Sequence, residues 1–205
     1  MHPEILTEKQ KALFPLLRQF SPSFYLAGGT AIALHIGHRR SIDFDLFTRD
    51  ELHRIRIHHI LKKGGFEIQD VLYEAFDQLN CLVLGVKLTF FTYPFDIPAP
   101  HSFESVISMP ALLDLGAMKA YTLGGRGKWK DYVDLYFLLR DHFSLNEIES
   151  RAHRLYGSVF NEKLFREQMA YFEDIDDTEE VDMVSENPDP EQIQTFLANA
   201  ALSRF

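Results

Sequence analysis

In YLAGGTAIALHIGHRRSIDFDLF, residues 25–47, Asp43 and Asp45 stand one residue apart, downstream of the glycine pair Gly28 and Gly29. Carboxylates this close repel one another, so a fold that keeps both ionised supplies a cation between them. A hard divalent ion suits such a pair, Mg²⁺ first and Mn²⁺ as its substitute. The alternation of SIDFDLF predicts a strand whose two-residue period puts Asp43 and Asp45 on one face and Phe44 on the other. Upstream, SFYLAGG reads as a short buried strand and TAIALHI as a short helix. Glycines at a strand-to-helix turn let a ligand approach the backbone. Thr30, at the start of that helix, adds a hydroxyl to free N–H groups that can hold phosphate oxygens. A metal beside a phosphate cradle can bind a triphosphate, orient an acceptor hydroxyl and offset the charge that develops in nucleotidyl transfer. Singly, G-G-T suits many turns, and D-x-D suits solvent-facing strands and helix caps; their order and spacing carry the inference.

A second block, LLDLGAMKAYTLGGRGKWKDYVDLYFLL, spans residues 112–139. Lys119 lies on an apolar helix, where an ammonium is costly unless it meets an anion. That anion is either a phosphate or an acid such as Asp114 or Asp131. Arg126, Lys128 and Lys130 surround Gly124, Gly125 and Gly127 in a loop that suits a phosphate or RNA contact, or a solvated turn. Asp131 and Asp134 are one helical turn apart on one face. Either can pair with Lys119 or Arg126, and Asp131, with the more polar neighbours, ranks first as a general base. His38, Arg39 and Arg40, just before the aspartates, are placed to touch phosphate or to neutralise the pair in part.

Together these blocks resemble the active-site signature of the nucleotidyltransferase superfamily, G-[GS]-[ST], a spacer, then D-x-D. More narrowly they are similar to the AbiEii/AbiGii abortive-infection toxins, whose lysine-bearing helix, basic turn and K-D-x-x-D-L-Y helix match the second block. The matching blocks cover about 50 residues, and the order of elements agrees over about residues 20–145. The resemblance implies transfer of a nucleoside monophosphate from an NTP to an RNA, tRNA ends included, or to a protein. Asp43 and Asp45 would then hold Mg²⁺ (or Mn²⁺), and Gly28, Gly29 and Thr30 would cradle phosphate. Arg39, Arg40, Arg126 and Lys130 would add nucleotide contacts, Lys119 would face the phosphates, and Asp131 would assist. A cognate antitoxin is the implied partner. The reverse polarity, a transferase that modifies and silences a toxic partner, has the same signature.

One departure bears on catalysis. Polymerase-like relatives add a third carboxylate on a neighbouring strand, where VKLTFFTY offers only Thr89 or Thr92. Two carboxylates hold one Mg²⁺ more readily than two. Asp131 or Asp96 could supply the missing charge, and a nucleotide-binding regulatory module without turnover is the second reading. A sugar-nucleotide glycosyltransferase, the third, would need a longer domain than the 42 residues before Asp43.

The rest of the chain sets the frame. Its 205 residues suit one domain or two small lobes with a real core. No run approaches a membrane span, and the start lacks the layout of a signal peptide. One cysteine, Cys81, in an apolar run, fits a core position and a reducing cytoplasm. The nine histidines lack the companions of a zinc site. Of the 30 acids, ten lie in residues 173–191, which contain no Lys or Arg, so the remaining 20 meet 21 bases. A basic face on the body is therefore open. The acidic stretch reads as a solvated linker, a polyanion mimic or a docking strip for a basic partner.

The predicted fold class is α+β: a small nucleotidyltransferase-like mixed sheet with helices over residues 1–100, then a helical lobe over 101–205. The boundary is set at YPFDIPAP. In the first lobe, 7–20 is an amphipathic helix with a Thr7–Gln10 capping box, kinked or divided by Pro15. A polar helix at 49–63 stops at Gly64 and Gly65, and FEIQDVLYEAF and CLVLGVKLTFFTY form two antiparallel strands turning near residues 78–80. Helices are expected at about 109–123, 130–142, 145–156, 161–172 and 191–203.

Overall fold

The Thr7 hydroxyl accepts from the Gln10 N–H (3.2 Å) and the Gln10 amide oxygen accepts from the Thr7 N–H (3.0 Å), so the capping box opens helix α1, Glu8–Ala12. Pro15 cannot donate within a helix but is tolerated in a first turn, and the chain restarts there as α2, Phe14–Phe20. The computed structural model describes residues 1–123, 127–173, 175–176, 178 and 180–203. It divides into two compact units, Met1–Ala111 and Leu112–Phe205.

The first unit continues with β1 (Tyr25–Ala27), α3 (Gly28–Ile36), β2 (Phe44–Thr48) and α4 (Arg54–Lys63). Then come β3 (Asp70–Glu74), β4 (Gln78–Val83), β5 (Val86–Thr92), β6 (His101–Phe103) and β7 (Ile107–Met109). The strands form one mixed sheet of seven, in the order β3-β4-β5-β2-β1-β7-β6. β2 sits at its heart, antiparallel to β1 and parallel to β5. Phe44 and Leu46 of β2, Leu79 and Cys81 of β4, Leu88 and Phe90 of β5, and Leu16, Leu17 and Phe20 of α2 are buried and build the core. Each such leucine or phenylalanine side chain contributes about 1.5–3 kcal/mol on leaving water.

The second unit is helical: α5 (Leu112–Leu123), α6 (Trp129–Asp141), α7 (Leu145–Tyr156), α8 (Glu162–Met169) and α9 (Pro190–Leu202). Ser144 and Glu147 form a capping box on α7, Asn161 caps α8, and Asp189 caps α9 ahead of Pro190. Leu115, Leu135, Leu138, Ile148, Phe165 and Leu197 fill the core. The Tyr132 hydroxyl donates toward the carbonyls of Gln168 (3.0 Å) and Tyr171 (3.1 Å). No helix among the described residues is long and apolar enough to cross a membrane.

The α+β class holds, with local corrections. CLVLGVKLTFFTY is two strands, because Leu84 (φ 53°) and Gly85 (φ 74°) are both left-handed and close a two-residue hairpin pairing Val83 with Val86. The preceding turn lies before Gln78, which pairs with Phe91 inside the sheet. Residues 101–109 form the β6–β7 hairpin, and β7 joins β1 through Ser108 and Tyr25, so the first unit runs to Ala111 where the sequence suggested a boundary at 100. The helix expected from 49 begins at Arg54, and the one expected to reach 172 ends at Met169.

Candidate functional site

β1 ends with Ala27 extended, and Gly28 turns the chain at φ +70° into α3. The ladder places Ala27 beside Asp45. A Cβ built on Gly28 would lie 2.2 Å from Asp45 Oδ2 and 3.2 Å from Asp45 Cβ. Glycine is thus required twice, by the left-handed backbone and by the room the carboxylate occupies. Gly29 follows, half-buried. Thr30 is buried; its hydroxyl donates to the Asp43 carbonyl (2.5 Å) and lies 2.7 Å from the Ser41 hydroxyl. Thr30 therefore acts on the site through the backbone of Asp43, a tie that G-G-T spacing alone does not disclose.

Asp43 and Asp45 are half-buried and flank the fully buried Phe44, as the two-residue period requires. Asp43 Oδ2 accepts from Lys87 Nζ at 3.1 Å. Sequence reasoning missed Lys87; the available signal was its place two residues before Thr89, on a strand expected beside the aspartates. In the β2–β5 register Thr89 stands level with Asp45, so the position of a third carboxylate holds a buried hydroxyl residue. Asp96 pairs with Arg49 at 3.3 Å, and both are exposed. Arg39 is buried and donates to the Arg40 carbonyl (3.0 Å), whereas Arg40 is exposed and reaches the Glu4 carbonyl (3.4 Å).

Among the described residues no group of three or more His, Cys, Asp or Glu is placed to hold a metal. The pair Asp43 and Asp45 fits a single hard cation: two carboxylate oxygen donors, with the absence of a side chain at Gly28 making the room that the Asp45 carboxylate occupies. His35 is tied to the Pro110 carbonyl at 3.0 Å, and burial, the larger effect, lowers its pKa despite that hydrogen bond.

In the second unit, Lys119 Nζ lies 2.7 Å from Asp131 Oδ1 and 3.0 Å from Asp134 Oδ2, and all three residues are buried. The anions Lys119 meets are thus these two aspartates, while Asp114, the other acid considered for it, pairs with Arg151. Asp131 Oδ2 is buried and has no hydrogen-bond partner among the described residues. Lys130, half-buried, lies in the first turn of α6. Lys128 caps that helix and its ammonium is 3.9 Å from Asp176 Oδ2. Part of the acidic stretch is pinned here, since the Trp129 N–H donates to the Asp176 carbonyl and the Asp176 N–H to the Gly127 carbonyl, both at 3.0 Å. Arg126, with Gly124 and Gly125, lies outside the described residues.

A family model described as nucleotidyl transferase AbiEii toxin, type IV TA system, matches residues 11–81 and 86–201. An uncharacterized protein of Aquifex aeolicus (strain VF5), aq_aa25, is 34% identical over 154 residues, 74% of each chain. Among solved structures, JHP933 from Helicobacter pylori aligns with a TM-score of 0.60 at 17% identity over 96% of this chain and 91% of its own. The nucleotidyltransferase toxin MenT4 from Mycobacterium tuberculosis H37Rv aligns with a TM-score of 0.65 at 16% identity, over 95% of this chain and 82% of its own. At such identities the two structures establish the shared fold.

Proposed function

The chain belongs to the AbiEii nucleotidyl transferase toxin family, and on that footing we propose that it transfers a nucleoside monophosphate from an NTP to an RNA hydroxyl, tRNA ends included, using Mg²⁺ or Mn²⁺ held by Asp43 and Asp45. As a family member it is a nucleotidyltransferase; the metal, the acceptor and the residue roles are our assignment. The observation that carries the reading is the space kept at Gly28 for the Asp45 carboxylate, beside an Asp43 whose backbone Thr30 fixes. Bound there, the metal supplies neutralising charge to the triphosphate and the departing pyrophosphate.

The roles of the side chains follow from their surroundings. Gly28 and Gly29 offer backbone N–H groups to phosphate at the start of α3. Arg40, exposed, and Lys130 are assigned to the anionic substrate, as is Arg126. Arg39, buried against its own loop, orders the approach to Asp43. Lys87 holds the Asp43 carboxylate in place until a more highly charged partner arrives. Lys119 holds Asp131 through its Oδ1, and Asp131 is assigned to assist the transfer. In the cell we assign the protein a cognate antitoxin, in keeping with its family description.

A second reading, nucleotide binding without turnover, is favoured by Thr89 standing where a third carboxylate would face Asp45. The test incubates the purified chain with each α-labelled NTP, Mg²⁺ or Mn²⁺, and separate RNA and protein fractions, beside Asp45→Ala. Label in RNA that requires Asp45 supports the proposal, and label in protein moves the acceptor to a side-chain hydroxyl. Metal-dependent NTP binding without transfer selects the second reading, and the absence of both refutes the assignment of Asp43 and Asp45.

A further inference from the structure

β3 ends the sheet, so one side of its backbone has no neighbouring strand among the described residues. A sheet with one covered face alternates buried and exposed residues, and β4 does so with Leu79, Cys81 and Val83 inside. β3 does not alternate. All five of its residues are exposed, including Val71 (43%), Leu72 (48%) and Tyr73 (52%), and Phe76 just beyond is 83% exposed. Apolar side chains thus stand bare on both faces of a strand whose outer edge is also open. Such edges template pairing with another chain.

The edge is anchored at one end. Arg54 donates to the Glu74 carboxylate at 2.5 Å and to the Ala75 carbonyl at 2.7 Å, fixing the C-terminal end of the strand. A register shift between Val71 and Tyr73 bulges it at Leu72. At the opposite end of the sheet β6 has only three residues, too short to serve in this way.

Charge selects the occupant. Residues 67–77 contain Glu67, Asp70, Glu74 and Asp77 and no Lys, Arg or His; Arg54 offsets Glu74, so Glu67, Asp70 and Asp77 carry the charge argument. Pairing two copies through β3 would bring together two such acidic segments in any register, and facing like charges destabilise a ladder. A basic segment gains where a second copy loses. We propose that β3 is a strand-addition surface for an extended segment of another protein in which β-branched or aliphatic residues alternate with Lys or Arg. Main-chain hydrogen bonds to the open edge supply the affinity. The alternating apolar residues cover Val71, Leu72 and Tyr73, and the cations meet Asp70 and its acidic neighbours. The surface is independent of Asp43 and Asp45, and serves to tether a partner rather than to react with it.

The probe is a short blocked peptide alternating arginine with valine, added to the full chain and followed by amide hydrogen exchange and amide chemical shifts. Expected is saturable protection centred on β3, about tenfold weaker binding in Asp70→Lys, and a comparable loss in Leu72→Lys. Both substitutions are at exposed positions and leave the core intact. A counterpart with glutamate for arginine should give no protection, and neither should one with glycine for valine. The proposal is overturned if β3 stays unprotected, if the glycine peptide binds as well, or if β3 becomes protected with rising protein concentration alone, which would make a second copy its occupant.

Discussion

Lys87→Met tests the aspartate pair most directly, because it removes a competing cation and leaves the carboxylates intact. The ammonium is 3.1 Å from Asp43 Oδ2, with about a third of the lysine side chain and a fifth of the aspartate side chain exposed (34% and 21%). Coulomb's law at an effective dielectric constant of about 20 gives roughly 5 kcal/mol of gross attraction. Solvation of both groups offsets most of it, and partly exposed pairs contribute at most about 1 kcal/mol net. A divalent cation that binds Asp43 must displace that contact, so its absence should tighten Mn²⁺ binding by about fivefold, the equivalent of that 1 kcal/mol. The assay is titration of free Mn²⁺ by electron paramagnetic resonance at low ionic strength, with thermal melts confirming that each variant is folded. The difference should shrink as salt is added, since screening weakens the ion pair. In an Asp43→Asn background the Lys87–Asp43 contact is gone, and the gain from Lys87→Met should shrink, which a double-mutant cycle quantifies. Unchanged or weaker Mn²⁺ binding in folded Lys87→Met would refute the reasoning, as would the same fivefold gain without the Asp43 carboxylate.

Other substitutions probe the supporting geometry. Gly28→Ala places a Cβ 2.2 Å from Asp45 Oδ2 at φ +70°; it should cost about 1–2 kcal/mol of stability yet abolish label transfer, read by thermal melting and by the transfer assay side by side. Lys119→Met removes the cation shared by two buried carboxylates and should lose about 3–5 kcal/mol in urea unfolding, partly regained when Asp131→Asn and Asp134→Asn are added. Burial pushes the Cys81 thiol up from its ordinary 9.0 to about 11, so iodoacetamide should leave it unmodified at neutral pH until the chain unfolds. The same shift gives a pH signature: the contribution to stability is whole below pH 9.0 and is lost as pH rises toward about 11, where the unfolded thiol ionises first. Urea titrations across that window should show a larger loss in the parent than in Cys81→Ala, where the buried Tyr25 hydroxyl, also pushed up from its ordinary 10.0, still contributes above pH 10.0.

Much of the site was legible because neighbours along the chain constrain one another. The strand period alone put Asp43 and Asp45 on one side of Phe44, and the burial of Phe44 follows it. The capping boxes at Thr7 and Ser144 work within four residues, and Pro15 divided its helix where its ring demanded. The glycine pair and the spacing to the aspartates carried the family resemblance, which the match over residues 11–81 and 86–201 bears out.

Other features depended on partners far away in sequence. Leu84 and Gly85 lack the usual Asn-Gly signature of a tight hairpin, so one apolar run concealed two strands. Lys119 had an anion to find, and α5 and α6 had to pack before Asp131 and Asp134, and not Asp114, could reach it. Nothing in EIQDVLYEAF marks its strand as an uncovered edge, because that follows from sheet order.

The sequence by itself determined the spacing of the reactive groups, since a strand's period and a turn's demand for glycine are properties of a few consecutive bonds. Only the tertiary structure decided what those groups face. It set β5 beside β2, bringing Lys87 to Asp43 across 44 residues and Thr89 level with Asp45. Strand order is chosen by the burial of the whole sheet, a free energy that no short stretch of the chain contains.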